Sequence, residues 1–195
     1  MSLRLIGRLP AYQGVAGTEG APMLLSDVTE WDMLCAPQDD IHGALIGEIT
    51  AALAKYGASA IECHSSQYAF TDQDVSDLFA QIAVANSASR FLFDRSQSTG
   101  STEAPILASF RQKAPAVQVA VGTSSVAGQI LHTKATVLIY PDSTGWSLTG
   151  SFNLSFSATE QFNVDDLVRS RSRAVLLAQR IDAMFAWVVA NESQP

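Results

Sequence analysis

The chain has 195 residues, 47% of them apolar and 16% charged, a balance that excludes a disordered chain and allows one substantial domain with its own core. The formal net charge of −7 sits in the first half: residues 1–89 hold three basic and eleven acidic side chains, residues 90–195 nine and eight. Overall acidity speaks against tight non-specific binding to nucleic acid, though Arg111, Lys113, Lys134, Arg169, Arg171 and Arg173 leave room for a local basic surface in the second half.

No apolar run reaches the roughly 18 residues of a membrane span. The N-terminal MSLRLIGRLPAYQG lacks the apolar core and cleavage site of a secretory signal, so a soluble, cytoplasmic protein is expected. Cys35 and Cys63 are too few for a disulfide framework and read as free thiols.

In chain order, residues 1–39 read as an extension packed on a domain spanning 40–195. Within it, 3–9 suits a strand, 14–22 is a turn-rich loop, and 24–34 has no clean period, which predicts irregular structure. From Asp39 the pattern sharpens. Ile41, Leu45, Ile49 and Leu53 recur at helical spacing between an acidic start and Gly57. SAIECHSS follows as a short strand, and Thr71 opens a helix with Asp72 and Asp74 in its first turn and Val75, Leu78, Phe79 and Ile82 as its buried stripe. RFLF (90–93) is a strand ending at Asp94, Pro105 suits the first turn of a helix to about Gln112, and VQVAVG (117–122) is a strand.

Residues 131–155 read as a hairpin. Val137, Leu138 and Ile139 form a buried strand, 141–145 a turn, and 146–149 an alternating return strand. An antiparallel hairpin sets its two open ends side by side, which brings His132 and Lys134 close to Gly150, Ser151 and Asn153. VDDLVRS then suits a strand and 174–190 a closing amphipathic helix. Helices alternate with strands from about residue 40, which predicts an α/β fold: a mixed, mostly parallel sheet with helices on both faces, in a single domain.

The residues at the open end of the hairpin suit one chemistry. A histidine serves as nucleophile, base or acid near neutral pH, a lysine adds a fixed positive charge, and an asparagine amide offers two donors. Gly150 and Ser151 permit close backbone approach beside a hydroxyl. Together they make a cradle for an oxyanion with several oxygens, phosphate above all. His42, His64 and His132 show none of the paired spacings of a zinc site, and Lys134 would repel a cation, so no metal or cofactor is expected.

H-x-K at 132–134 followed by G-S-x-N at 150–153 resembles the signature of the phospholipase D superfamily, the HKD phosphodiesterases. Asn163-Val164-Asp165 is similar to the Asn-x-Glu that follows in its small bacterial nucleases, and 68–75 and 90–100 resemble their strand-to-helix junctions. The resemblance covers roughly residues 40–190. It implies His132, Lys134, Ser151 and Asn153 as catalytic residues, with Gly150, Asn163 and Asp165 binding substrate. It further implies a metal-independent reaction in which one histidine attacks phosphorus and a second protonates the leaving oxygen. Neither His42 nor His64 begins a second H-x-K, so the pair is expected from two chains, in a homodimer with the site across its interface. Nucleic acid is the expected substrate, phospholipid head groups the alternative. One departure stands out: the family aspartate five residues after the lysine is here Ile139. Either Asp142 or Asp165 takes its part, or the chain is a catalytically inactive binding module.

Overall fold

Side chains alternate across one sheet, and that alternation separates two apolar layers. The structure, a computed structural model, describes residues 27–123 and 130–192; the strand expected at 3–9 and the loop at 14–22 lie outside these residues. The elements are β1 (Glu30–Ala36), α1 (Ile41–Tyr56), β2 (Glu62–Gln67), α2 (Gln73–Ala85), β3 (Arg90–Asp94), α3 (Glu103–Lys113), β4 (Val119–Gly122), β5 (Lys134–Ile139), β6 (Gly145–Gly150), β7 (Asn163–Arg169) and α4 (Arg171–Asn191).

Helix starts follow local chemistry. The Asp40 carboxylate accepts from Gly43 N at 2.7 Å to cap α1, and the Asp72 carboxylate accepts from Val75 N at 2.9 Å to cap α2. Gly57 ends α1 at φ 78°, a conformation that favours glycine.

The described residues form a seven-stranded sheet in the order β1-β7-β6-β5-β2-β3-β4. β2, β3 and β4 pair in parallel, joined by α2 and α3 as crossovers, whereas β5–β2, β6–β5, β7–β6 and β1–β7 pair antiparallel. The sheet is mixed, as expected, with less parallel pairing than the alternation of elements suggested. Residues 30–36, expected to be irregular, are an edge strand of this same sheet, with Leu34 opposite Asp165 and Ala36 opposite Asn163.

Phe91 and Phe93 face the layer of α1, α2 and α3, while Leu92 between them faces α4. On the first side Phe70, Phe79, Phe91, Phe93 and Phe110 pack ring against ring, with centroids 4.7–6.2 Å apart. On the other, Val137 and Ile139 pack on Ala174, Ala178 and Ile181 of α4. By length and composition alone α4 is long and apolar enough to cross a membrane, but Arg171, Arg173, Arg180 and Asp182 interrupt it, so no unbroken apolar run of that length occurs in it. One stripe of it is accounted for by the sheet beneath.

Candidate active site

The site forms where β2 and β3 end and the β5–β6 hairpin opens, the end of a parallel run at which α/β folds place ligands. After β2 the chain is held against both open ends of the hairpin. Tyr68 N donates to Thr133 O at 3.0 Å, and Thr71 N donates to Leu154 O at 2.8 Å. From the β3 end, the fully buried Asp94 accepts from Leu131 N at 2.8 Å on one oxygen and from Ser96 N at 3.0 Å on the other. Asp94 thus fixes the backbone immediately before His132.

His132 is exposed, and Lys134 lies at the start of β5 with little exposure. The Lys134 ammonium sits 3.1 Å from Nε2 and 3.3 Å from Nδ1 of the His132 ring. Tyr68 lies alongside: its ring centroid is 4.7 Å from that of His132 and 5.0 Å from Lys134 Nζ. Burial holds the Lys134 ammonium below the ordinary lysine value, against the opposing pull of Asp165. Burial likewise raises Asp165, although the Phe152 and Ser151 N–H groups and Lys134 favour its charged form. The Phe152 bond is 3.0 Å long.

Gly150 ends β6 opposite Asp165. A Cβ there would stand 2.3 Å from Val164 O and 2.5 Å from Asp165 Oδ1, so only glycine fits. Ser151 Oγ accepts from Val164 N at 3.0 Å and donates to Asn163 Oδ1 at 3.2 Å. The Asn163 amide donates to Ala158 O at 2.9 Å and Gln161 O at 3.2 Å. Ser151 and Asn163 therefore spend their polar atoms on binding β6 to β7 and on closing the turn before β7. Asn153 differs: its Oδ1 is buried with no hydrogen-bond partner among the described residues.

The structure brings His132, Lys134 and Asp165 together, and Asn153 lies a few residues beyond the end of β6. His132, Lys134, Asn153 and Asp165 hold polar groups at the open end, while Gly150, Ser151 and Asn163 hold the scaffold. Sequence reasoning passed over Tyr68 and gave Asp94 no role beyond ending a strand. The signal available for Asp94 was a carboxylate closing a buried strand before a polar loop; Tyr68 carried none.

Asp142 is corrected as a stand-in for the missing aspartate. It lies at the hairpin tip, bonded to the Tyr56 hydroxyl, to Lys55 Nζ at 3.3 Å and to Thr144 N at 3.1 Å. Position 139 is also remote: five strand residues carry the chain about 17 Å from Lys134, and Ile139 packs under α4 there. A cavity of about 520 Å³ lies at this far end, lined by Tyr56, Tyr140, Arg169 and Arg171. Its ionic groups are largely paired with one another, Arg169 with Glu48 and Glu30 and Asp142 with Lys55, and no histidine lines it. His64 stands apart as well, buried between Asp182 at 2.8 Å and Glu62 at 2.7 Å.

No family model and no curated protein sequence matches the chain. Solved structures do. Nuc from Salmonella typhimurium, a phospholipase D family member, superposes with a TM-score of 0.53 at 16% identity, covering 85% of this chain and 99% of its own. NucT from Helicobacter pylori gives 0.52 at 18% identity, covering 82% and 98%. Polyphosphate kinase from Porphyromonas gingivalis gives 0.57 at 10% identity over 85% of this chain and 27% of its own. The fold is therefore the α/β fold seen in phospholipase D family members, present here over nearly the full length of the two small ones.

Proposed function

We propose that this protein is a metal-independent phosphodiesterase that cleaves nucleic acid through a phosphohistidine, with its active site shared between two copies. The observation that carries the reading is the His132–Lys134 pair, framed by Tyr68 and set at the mouth of the hairpin beside Asp165. The likeness of fold to Nuc and NucT supports it.

In this reading an imidazole nitrogen of His132 attacks phosphorus, and the P–O bond to the leaving group breaks. The leaving oxygen takes a proton from the second copy's histidine. That histidine, now neutral, removes a proton from water, which attacks phosphorus and releases His132. Lys134 and the Asn153 amide hold the non-bridging oxygens as negative charge builds on them. Asp165 keeps Lys134 charged in a site whose burial works against that charge. Position 139 lies far along β5 from His132, so an aspartate there would not itself touch a phosphate held at His132.

A chromogenic phosphodiester in excess chelator tests the reading, with His132→Ala beside the wild type. Turnover by the wild type alone is expected. Turnover surviving in His132→Ala, or lost to the chelator, overturns it. Phospholipid remains the second reading because Ile130, two residues before His132, is 56% exposed. Head-group release from vesicles with DNA left intact would favour it.

A further inference from the structure

The C-terminal end of α4 sets several local preferences aside at one place. Glu192 caps the helix there, where the macrodipole favours a cation over a carboxylate. Its side chain is only 1% exposed and pairs with Arg95. Yet Glu192 Oε1 and Arg95 Nε are both buried without a hydrogen-bond partner among the described residues. Thr123, which donates its N–H to Glu192 Oε2, stands at φ 61°. A β-branched residue at positive φ is an outlier. Among the described residues the other non-glycine residue with positive φ is Ser143, in the hairpin turn, where that conformation is ordinary. Unfavourable features of this kind persist where the surrounding structure over-determines them, and they gather at functional sites.

What Glu192 holds leads to His132. Its Oε2 takes the Thr123 N–H just past the end of β4 and Arg95 Nη2, at 3.0 Å, just past the end of β3. Asp94 lies between these two grips. It precedes Arg95 in the chain, and Thr123 Oγ1 reaches its Oδ2 at 3.4 Å. The same Oδ2 accepts at 2.8 Å from the N–H of Leu131, the residue before His132. Gly122 keeps room for the carboxylate, since a Cβ there would collide with Val188 and stand 3.0 Å from Glu192 Oε2. Leu131 packs with Phe185 and Val188 on the same end of the helix.

We infer that Glu192 is a positioning residue for His132: it fixes the chain past the ends of β3 and β4 on either side of Asp94, and Asp94 sets the backbone that carries the imidazole. Glu192 touches no reacting atom; what it supplies is reach and an acceptor oxygen. The inference rests on the reading of His132 as the nucleophile and adds to it a residue sixty positions further along the chain. Asp182 offers the comparison. It ties the same helix to β2 through His64, which is opposite Arg90 at the far end of β3 from Asp94.

Glu192→Ala, Glu192→Asp and Glu192→Gln in the full chain test it, with Asp182→Asn as the control and circular dichroism confirming the fold of each. Nuclear magnetic resonance follows the imidazole cross-peaks of the three histidines and the exchange of the Leu131 N–H. Hydrolysis of the chromogenic diester gives kcat and KM. Glu192→Ala is expected to shift the His132 cross-peaks, to speed Leu131 exchange about tenfold and to lower kcat about thirtyfold at nearly constant KM, as a slightly misplaced reacting group does. Glu192→Asp keeps the charge but falls one methylene short of Thr123 N, and it follows Glu192→Ala; if Glu192→Ala does not fold, this variant carries the test. Glu192→Gln keeps both reach and an acceptor and restores both readouts. Asp182→Asn moves the His64 cross-peaks and leaves His132 and kcat in place.

Unmoved His132 cross-peaks and Leu131 exchange in folded Glu192→Ala or Glu192→Asp overturn the proposal. So does a Glu192→Gln protein as impaired as Glu192→Ala, or a shifted His132 with kcat unchanged. The two readings fail separately. A diester left intact by the wild type, beside His132 signals that follow Glu192, removes the phosphodiesterase and keeps the positioning. Full turnover in Glu192→Ala with its His132 signals unmoved removes the positioning and keeps the phosphodiesterase.

Discussion

Asp94 acts on His132 through the backbone. Its carboxylate holds Leu131 N and Ser96 N, so Asp94→Ala strands two N–H groups, each costing about 1–3 kcal/mol where buried. The expected outcome is a lower denaturation midpoint together with a fall in kcat of about a hundredfold at nearly constant KM, the scale of a small misplacement of a reacting group. Asp94→Asn keeps an acceptor and should recover most of both. A KM that rises while kcat holds would show that Asp94 does not position His132. Asp165 poses the opposite balance. Burial raises its folded pKa above the ordinary value of 3.8, so the favourable contribution exists only in acid and is lost as pH rises through the folded value. At neutral pH its charge is a cost to folding. Asp165→Asn should leave the unfolding midpoint at pH 7 unchanged or higher while lowering turnover about a hundredfold; a loss of stability at pH 7 would contradict this.

Elements differ in how plainly they were written. α1 and α2 were legible because Asp40, Asp72 and Gly57 satisfy helix-end groups within a few residues. The hairpin was legible through its turn, where Thr144 N bonds back to Asp142. β1 was missed because its alternation of Glu30, Trp31, Asp32 and Met33 is short and puts its large apolar side chains on the open side. α4 is tied to β2 by the Asp182–His64 bond at 2.8 Å. Burial presses the His64 pKa down, but hydrogen bonds to Asp182 and Glu62 outweigh it and raise the folded value above the ordinary 6.5. The stabilisation is therefore full below about pH 6.5 and is lost as pH rises through the folded value. The unfolding midpoint of Asp182→Asn should lie furthest below that of wild type under pH 6.5, with the gap narrowing in alkali. A gap that widens toward alkaline pH would reverse the assignment.

At the scale of the whole molecule, the two sides of the sheet are finished differently. The side of α1, α2 and α3 closes over a cluster of phenylalanines, whereas on the α4 side Trp187, Trp31 and Met33 are exposed among the described residues, Trp31 donating to Asp166 Oδ1 at 3.2 Å. The site lies at the end where the open side meets the hairpin mouth.

The sequence by itself determined the capped starts of α1 and α2, the hairpin and the placing of Lys134 opposite Gly150 at its open end. Capping, turn chemistry and the two-residue period of a strand all act over short stretches of chain. Only the tertiary structure decided the strand order, the extent of antiparallel pairing and the inclusion of β1. It also placed Asp165 beside Lys134 and Asp142 at the far end, assigned Ser151 and Asn163 to holding each other, and brought Tyr68 and Asp94 to His132. Each of these depends on which distant strands pair and in what register, and a one-residue change of register would send every such side chain to the other face.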